Sequence, residues 1–293
     1  MSRRTGLPWA PTSLPPMRRQ WCQLLAEGLD RLRDQPAVAE LLQKAEEDLA
    51  GIDTSVLFWV NRDMTDLAVS AAASLPEWSP AAAIPEEFGL IAWAKPVGTF
   101  DWPVPGSTQR VRMPVDMMVW GVRDLSVGVS CAFRADRIAE QLNPGLARMP
   151  LISHPIGMWD LEEPVDYRLP NGAVCPMGVL GAAWLLMQQP SMSDRREIRT
   201  TTGQSASEDD SSADPDAVNI IELRRLRNPE AGGEGDAGER RRYDKRFWVS
   251  GHWRQQACGP GRKMRKPLWI SPHIKGPESA PLADTTRVYM WRR

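Results

Sequence analysis

The residues best suited to chemistry gather near the C-terminal end of the chain. Arg254, Arg262, Lys263, Arg265 and Lys266 cluster there with Trp253 and Trp269, in the stretch Gly-His-Trp-Arg-Gln-Gln-Ala-Cys-Gly-Pro-Gly-Arg-Lys-Met-Arg-Lys-Pro-Leu-Trp-Ile. Cationic side chains neutralise phosphates and release counterions, and indole faces stack on unpaired bases. Together these residue types point to RNA or single-stranded DNA. His252 and His273, two of three histidines, flank Cys258. A His/Cys/His metal site would lack a fourth ligand and matches no zinc spacing, so no metal is expected. His252 in an arginine-rich pocket would suit RNA phosphodiester cleavage as a general base, and it is the one catalytic candidate. Tryptophans alternating along short strands also serve as packing, and a basic run at a turn also serves as a solvated tip. Both readings stay open at this point.

The charge distribution singles out the same block. Residues 240–293 hold fourteen Arg and Lys against Asp244, Glu278 and Asp284, a local balance of +11 in a chain of net charge −1. The remaining residues therefore carry −12, and an acidic body joins a basic module. The spacing predicts extended pieces over 247–253, 267–270 and 287–291. Gly259-Pro260-Gly261 and the basic run after it form the tip between the first two.

The motif Gly251-His252-Trp253-Arg254-x-Gln256, then Gly259-x-Gly261, Arg265, Trp269-Ile270 and Pro272, resembles the C-terminal block of uncharacterised proteins of actinobacterial phages, plasmids and integrated elements. More distantly, it is similar to the C-terminal region of a type V-A anti-CRISPR family. The resemblance covers about 40 of 293 residues. It implies a mobile-element accessory protein. The anti-CRISPR likeness implies engagement of an effector nuclease during its synthesis and a lowered transcript. No residue role is carried over from either family.

Elsewhere the chemistry is sparse. Asp116 lies in a strand-like apolar run, and the pairs Glu86-Glu87 and Glu162-Glu163 fall near element ends, where carboxylates usually face solvent. His154 precedes Pro155 with nothing nearby in sequence to orient it. The chain has no P-loop, GxSxG, HExxH or EF-hand loop, so no cofactor is expected. The four cysteines are scattered and the N-terminus has no apolar leader, which points to the cytoplasm. No apolar run reaches the ~18–20 residues that span a bilayer, so no membrane contact is expected.

The elements that must position these residues follow from periodicity. Helical spacing over 17–33, 36–51 and 63–74 places a leader and helical region in 1–84. Apolar runs at 88–94, 111–122 and 125–133, a short helix at 135–142, a strand or ledge at 151–159 and a buried helix at 177–189 make 85–190 a mixed α+β sheet domain. Residues 191–216 and 228–239 are polar and read as disordered, leaving 191–239 a connector with one strand near 218–226. Residues 240–293 form the basic, tryptophan-rich module, and no internal repeat is visible. The fold class expected is α+β: N-terminal helices, a small mixed β-sheet, a disordered insertion and a C-terminal basic hairpin. The function expected is nucleic-acid binding by a non-enzymatic accessory protein. The alternatives are capture of a partner polypeptide and His252-dependent RNA cleavage; the oligomeric state is left open.

Overall fold

Five consecutive apolar residues, Val-Leu-Phe-Trp-Val, begin the sheet as β1 (Val56–Val60), and four of them are buried. Such runs suit strands covered on both faces, and parallel neighbours then need a crossover helix. In the computed structural model, which describes residues 8–33, 39–103, 108, 110–137, 149–165, 175–199, 214, 216–224, 245–262, 264–277 and 280–283, β1 is parallel to β2 (Phe88–Trp93). The crossover is α3 (Arg62–Ala72), after α1 (Leu14–Asp30) and α2 (Ala39–Thr54) have preceded β1. The fold is α+β, and the chain divides into a unit of residues 1–223 and a unit of residues 224–293.

The first unit holds one seven-stranded sheet. After the single-turn α4 (Pro80–Ala83), a hairpin of β3 (Thr99–Pro103) and β4 (Arg110–Pro114) stands apart from it. β5 (Met117–Arg123), β6 (Ser126–Arg134) and β7 (Leu151–Asp160) continue antiparallel from β2. α5 (Pro176–Met187) then leads to β8 (Ser193–Ile198) and β9 (Val218–Leu223). The strand order is β7-β6-β5-β2-β1-β9-β8, with β9 parallel to β1 and antiparallel to β8.

Alternation along the strands divides the core. Leu57, Trp59, Leu90, Ala92, Met117, Val119, Val218 and Ile220 form one cluster with Leu14 and Trp21 of α1. On the other face Trp120 stacks on Phe58 and meets Trp184 of α5 edge-on, with ring centroids 5.1 Å apart. Trp184 in turn meets Trp78. α5 is apolar all round, as a helix buried on every side must be. Indoles this large approach backbone only where no Cβ intervenes. A Cβ on Gly89 would lie 2.0 Å from Trp120 Cζ2, and one on Gly181 would lie 2.2 Å from Trp78 Cζ2.

Several expected boundaries differ from the structure. The boundary at 84 separates nothing, because β1 from the expected helical region shares a sheet with strands of 85–190. Part of the expected connector is ordered: β8 lies within 191–216. Its Asp194, Arg195, Arg196 and Glu197 suggest disorder, yet they suit an exposed edge strand, where charge discourages pairing with other chains. Arg195 donates to Asn219 Oδ1 at 2.8 Å and lies over the Phe58 ring, which ties the edge to the core. The single strand expected at 111–122 is split in two between Pro114 and Met117. The expected helix at 135–142, the polar stretch 228–239 and the strand at 287–291 lie wholly or mostly outside the described residues.

A buried charge closes the unit near β9. Arg18, 3 % exposed, donates to the Ser55 carbonyl at 2.8 Å and to Asp216 at 3.2 Å. Among the described residues no helix is long and apolar enough to cross a membrane.

The second unit is a long two-stranded ribbon. β10 (Phe247–Val249) pairs with β13 (His273–Lys275), and β11 (His252–Cys258) pairs with β12 (Met264–Ile270) in the same running register. Its base is closed at Arg246, whose N–H donates to Pro281 O and whose O accepts from Ala283 N–H.

Candidate nucleic-acid interface

The β11–β12 hairpin turns at Gly259-Pro260-Gly261-Arg262. Gly259 and Gly261 take φ of 72° and 64°, which glycine adopts without steric cost, and Arg262 follows at 55°. Arg262 is thereby exposed at the tip; Lys263 lies outside the described residues. Lys245, Arg246, Arg254, Arg262, Lys263, Arg265, Lys266 and Lys275 are the cations of 245–277, and no Asp or Glu falls in that stretch.

Register assigns each candidate to a face, because directly opposed residues share a side and successive pairs alternate. Trp253 opposes Trp269, Gln255 opposes Pro267 and Ala257 opposes Arg265 on one face. His252 with Ile270, Arg254 with Leu268, Gln256 with Lys266 and Cys258 with Met264 occupy the other. The cations and tryptophans that sequence groups together are therefore divided. Arg254 and Lys266 share the face of His252, whereas Trp253, Trp269 and Arg265 point the opposite way.

The two faces differ in exposure. On the first, Gln255 and Arg265 are exposed while Pro267 and Trp269 are buried, Trp269 at 7 %. Its indole meets Trp253 at 5.2 Å in an edge-on contact and lies over Gly251, where a Cβ would come within 2.5 Å of Cζ2. Neither ring face of Trp269 is open to a base, and Trp253 is half-buried against it. The tryptophans of the sequence motif thus pack, and Gly251 is their seat. On the opposite face His252, Arg254 and Gln256 are exposed, and Arg254 donates to Gln256 Oε1 at 2.8 Å. Gln256 faces Lys266, and Arg254 is its diagonal neighbour at about 7–8 Å, far enough for each cation to take its own phosphate.

His252 Nδ1 lies 3.0 Å from the Ser250 carbonyl, and His273 Nδ1 lies at the same distance from Ser271 O. Neither ring makes a hydrogen bond to a carboxylate among the described residues. His252 and Cys258 stand at opposite ends of β11, about 20 Å apart along the strand, too far to share one ion. Among the described residues no three His, Cys, Asp or Glu groups converge for a metal.

The pairing also exposes a repeat that periodicity alone does not show. Phe247-Trp-Val-Ser-Gly-His-Trp-Arg254 matches Leu268-Trp-Ile-Ser-Pro-His-Ile-Lys275 position by position. Exchanging the two segments carries the pair Phe247–Lys275 onto Leu268–Arg254, Trp248–Ile274 onto Trp269–Trp253, and Val249–His273 onto Ile270–His252. The ribbon therefore has approximate twofold symmetry in its pairing. Each copy is too short, and too loosely matched outside Trp, Ser and His, to stand out before register aligns the two.

The remaining candidates lie in the first unit. Asp116 is buried and accepts from Arg134 N–H at 3.1 Å and from Arg137 Nη1 at 2.6 Å; burial nevertheless pushes its carboxyl above the usual range. His154 packs between Phe100 and Trp102 of the β3–β4 hairpin, at 5.0 and 4.6 Å, and burial holds its imidazole below the ordinary value. Glu87, Glu162 and Glu163 are exposed. Among the described residues no cleft chemistry assembles around any of them. Comparison with known proteins finds no matching family model, curated protein or solved structure.

Proposed function

We propose that this protein binds RNA or single-stranded DNA through the ribbon of its C-terminal unit, as an accessory protein of mobile-element type acting in the cytoplasm. One observation carries the reading: from 245 to 277 the ribbon holds eight cations and no acid, and exposed Arg254 shares a face with half-buried Lys266 on the hairpin that turns at Arg262. A polyanion gains from each such contact by counterion release, whatever its sequence. The resemblance of 251–272 to phage and plasmid proteins supports the biological setting. Among the described residues the His252 ring has one side-chain hydrogen bond, to the Ser250 carbonyl, and no proton-transfer partner, which favours binding over catalysis.

The test is anisotropy of fluorescein-labelled single-stranded RNA with the full chain. Steeply salt-dependent binding is expected, and Arg254→Glu/Arg262→Glu/Lys266→Glu should abolish it. Unchanged affinity in that variant refutes the reading. The exposed apolar pair Trp248 and Ile274 favours a second reading, capture of a partner polypeptide. A nuclease-resistant partner bound by a chain with no affinity for RNA would replace the first reading with the second.

A further inference from the structure

We infer that Trp248 is a stacking site for an unpaired nucleobase, an inference that rests on the nucleic-acid reading above. The approximate symmetry of the ribbon makes Trp248 the counterpart of Trp269 and Ile274 the counterpart of Trp253. Their environments are nonetheless opposite: Trp248 is 58 % exposed and Ile274 50 %, whereas Trp269 is 7 % exposed.

The difference has a local cause. Trp269 lies over Gly251, where even one methyl would approach within 2.5 Å. The repeat puts Pro272 at the position corresponding to Gly251. Trp248 therefore has no glycine at that position to lie over, and its indole stands in water. Solvating that much aromatic surface is unfavourable.

Charge complementarity selects the occupant. Lys275 is paired with Phe247, adjacent to Trp248, and Lys245 and Arg246 precede it; no acid lies anywhere from 245 to 277. An indole whose charged neighbours from 245 to 277 are all cations fits a flat, electron-rich ring attached to a phosphate backbone. A duplex hides that ring face in its stack, so the ligand is a single strand. Trp253 and Trp269, the stacking residues expected from sequence, supply the scaffold, and their exposed counterpart makes the contact.

The experiment compares a labelled oligothymidylate with an abasic strand of equal length and charge, using the full chain and its Trp248→Ala and Trp248→Phe variants. Circular dichroism checks that the variants fold, as expected for an exposed position. Wild type should bind the base-bearing strand more tightly than the abasic one. Trp248→Ala should weaken the base-bearing strand about 5- to 150-fold, leave the abasic strand within twofold, and be largely rescued by Phe. Equal losses on both strands, or no loss on either, would overturn the stacking site while the cationic ribbon stands. Absence of wild-type binding to both strands would overturn the ribbon reading and this inference together.

Discussion

Neutralising Arg254 and Lys266 together, as Arg254→Gln/Lys266→Gln, should flatten the salt dependence of nucleic-acid binding by an amount the register specifies. Exposed Arg254 and half-buried Lys266 share one face of β11–β12, and Arg262 stands at the tip. Three contacts at about 0.7 each for single strands give log K against log salt a slope of at least about −2.1. Between 50 and 200 mM salt that is a loss of roughly 18-fold in affinity. Removing two contacts makes the slope shallower by about 1.4, so any remaining loss is divided by roughly 7 over the same interval. Arg265 provides the contrast. It has the same charge and lies close in sequence, but its partner is Ala257 on the opposite face. Arg265→Gln should therefore leave the slope within about 0.3 of wild type, below the value of one contact. The assay is anisotropy of a labelled 12-mer across the salt series, with all three proteins measured in parallel. If Arg265→Gln flattens the slope as much as Arg254→Gln or Lys266→Gln alone, the faces do not choose the ligand and the reasoning from register fails.

Gly89→Ala would set a methyl 2.0 Å from Trp120 Cζ2 and should cost about 2–3 kcal/mol. In a Trp120→Leu background the same change should cost under ~0.5 kcal/mol, so additive penalties in urea unfolding would refute the close-approach account. Arg18→Ala removes the buried donor of the Ser55 carbonyl and leaves Asp216 its ion pair with Arg19, and should destabilise by about 3 kcal/mol, the low end for a broken buried pair because Asp216 is partly exposed and still paired. A shift below ~1 kcal/mol would show that water replaces the guanidinium. Burial lowers the His154 pKa, so the folded state favours the neutral ring, and stability present above about pH 6.5 is lost as pH falls toward the depressed folded value. His154→Phe should remove that part of the decline. An equally steep fall in its unfolding midpoint between pH 7.5 and 5 would assign the pH dependence to other groups.

Sequence periodicity locates α1, α2, α3, α5, β2 and β6 because each has a clear apolar stripe or run. It misses β1, whose five residues sit between two helices and supply too short a window for either period. β8 escapes for a different reason. Its charges are those of a disordered segment, and only the neighbouring β9, far along the chain, makes it a strand. Parallel order is equally invisible, since nothing in Val-Leu-Phe-Trp-Val names the partners on either side. At the candidate interface the cations and the Gly-Pro-Gly tip are legible as residue types. Their division between two faces is not, because a one-residue change in the tip would reverse every assignment. The packing of Trp269 over Gly251 is likewise a property of the folded ribbon, although glycine two residues before a tryptophan in a short strand is a hint of it.

The placement of β9 governs how the chain emerges from the ribosome. Asn219 donates its side-chain amide to the Leu57 carbonyl across 162 residues, and β9 is the strand that covers that edge of β1. At ordinary elongation rates about 10–30 s separate the synthesis of β1 from that of β9. Through that interval β1 can pair with β2 while its other edge, apolar on both faces, stays open to any nascent chain nearby. The cationic ribbon follows β9 in the order of synthesis, so the strand that fills this edge is made before the second unit.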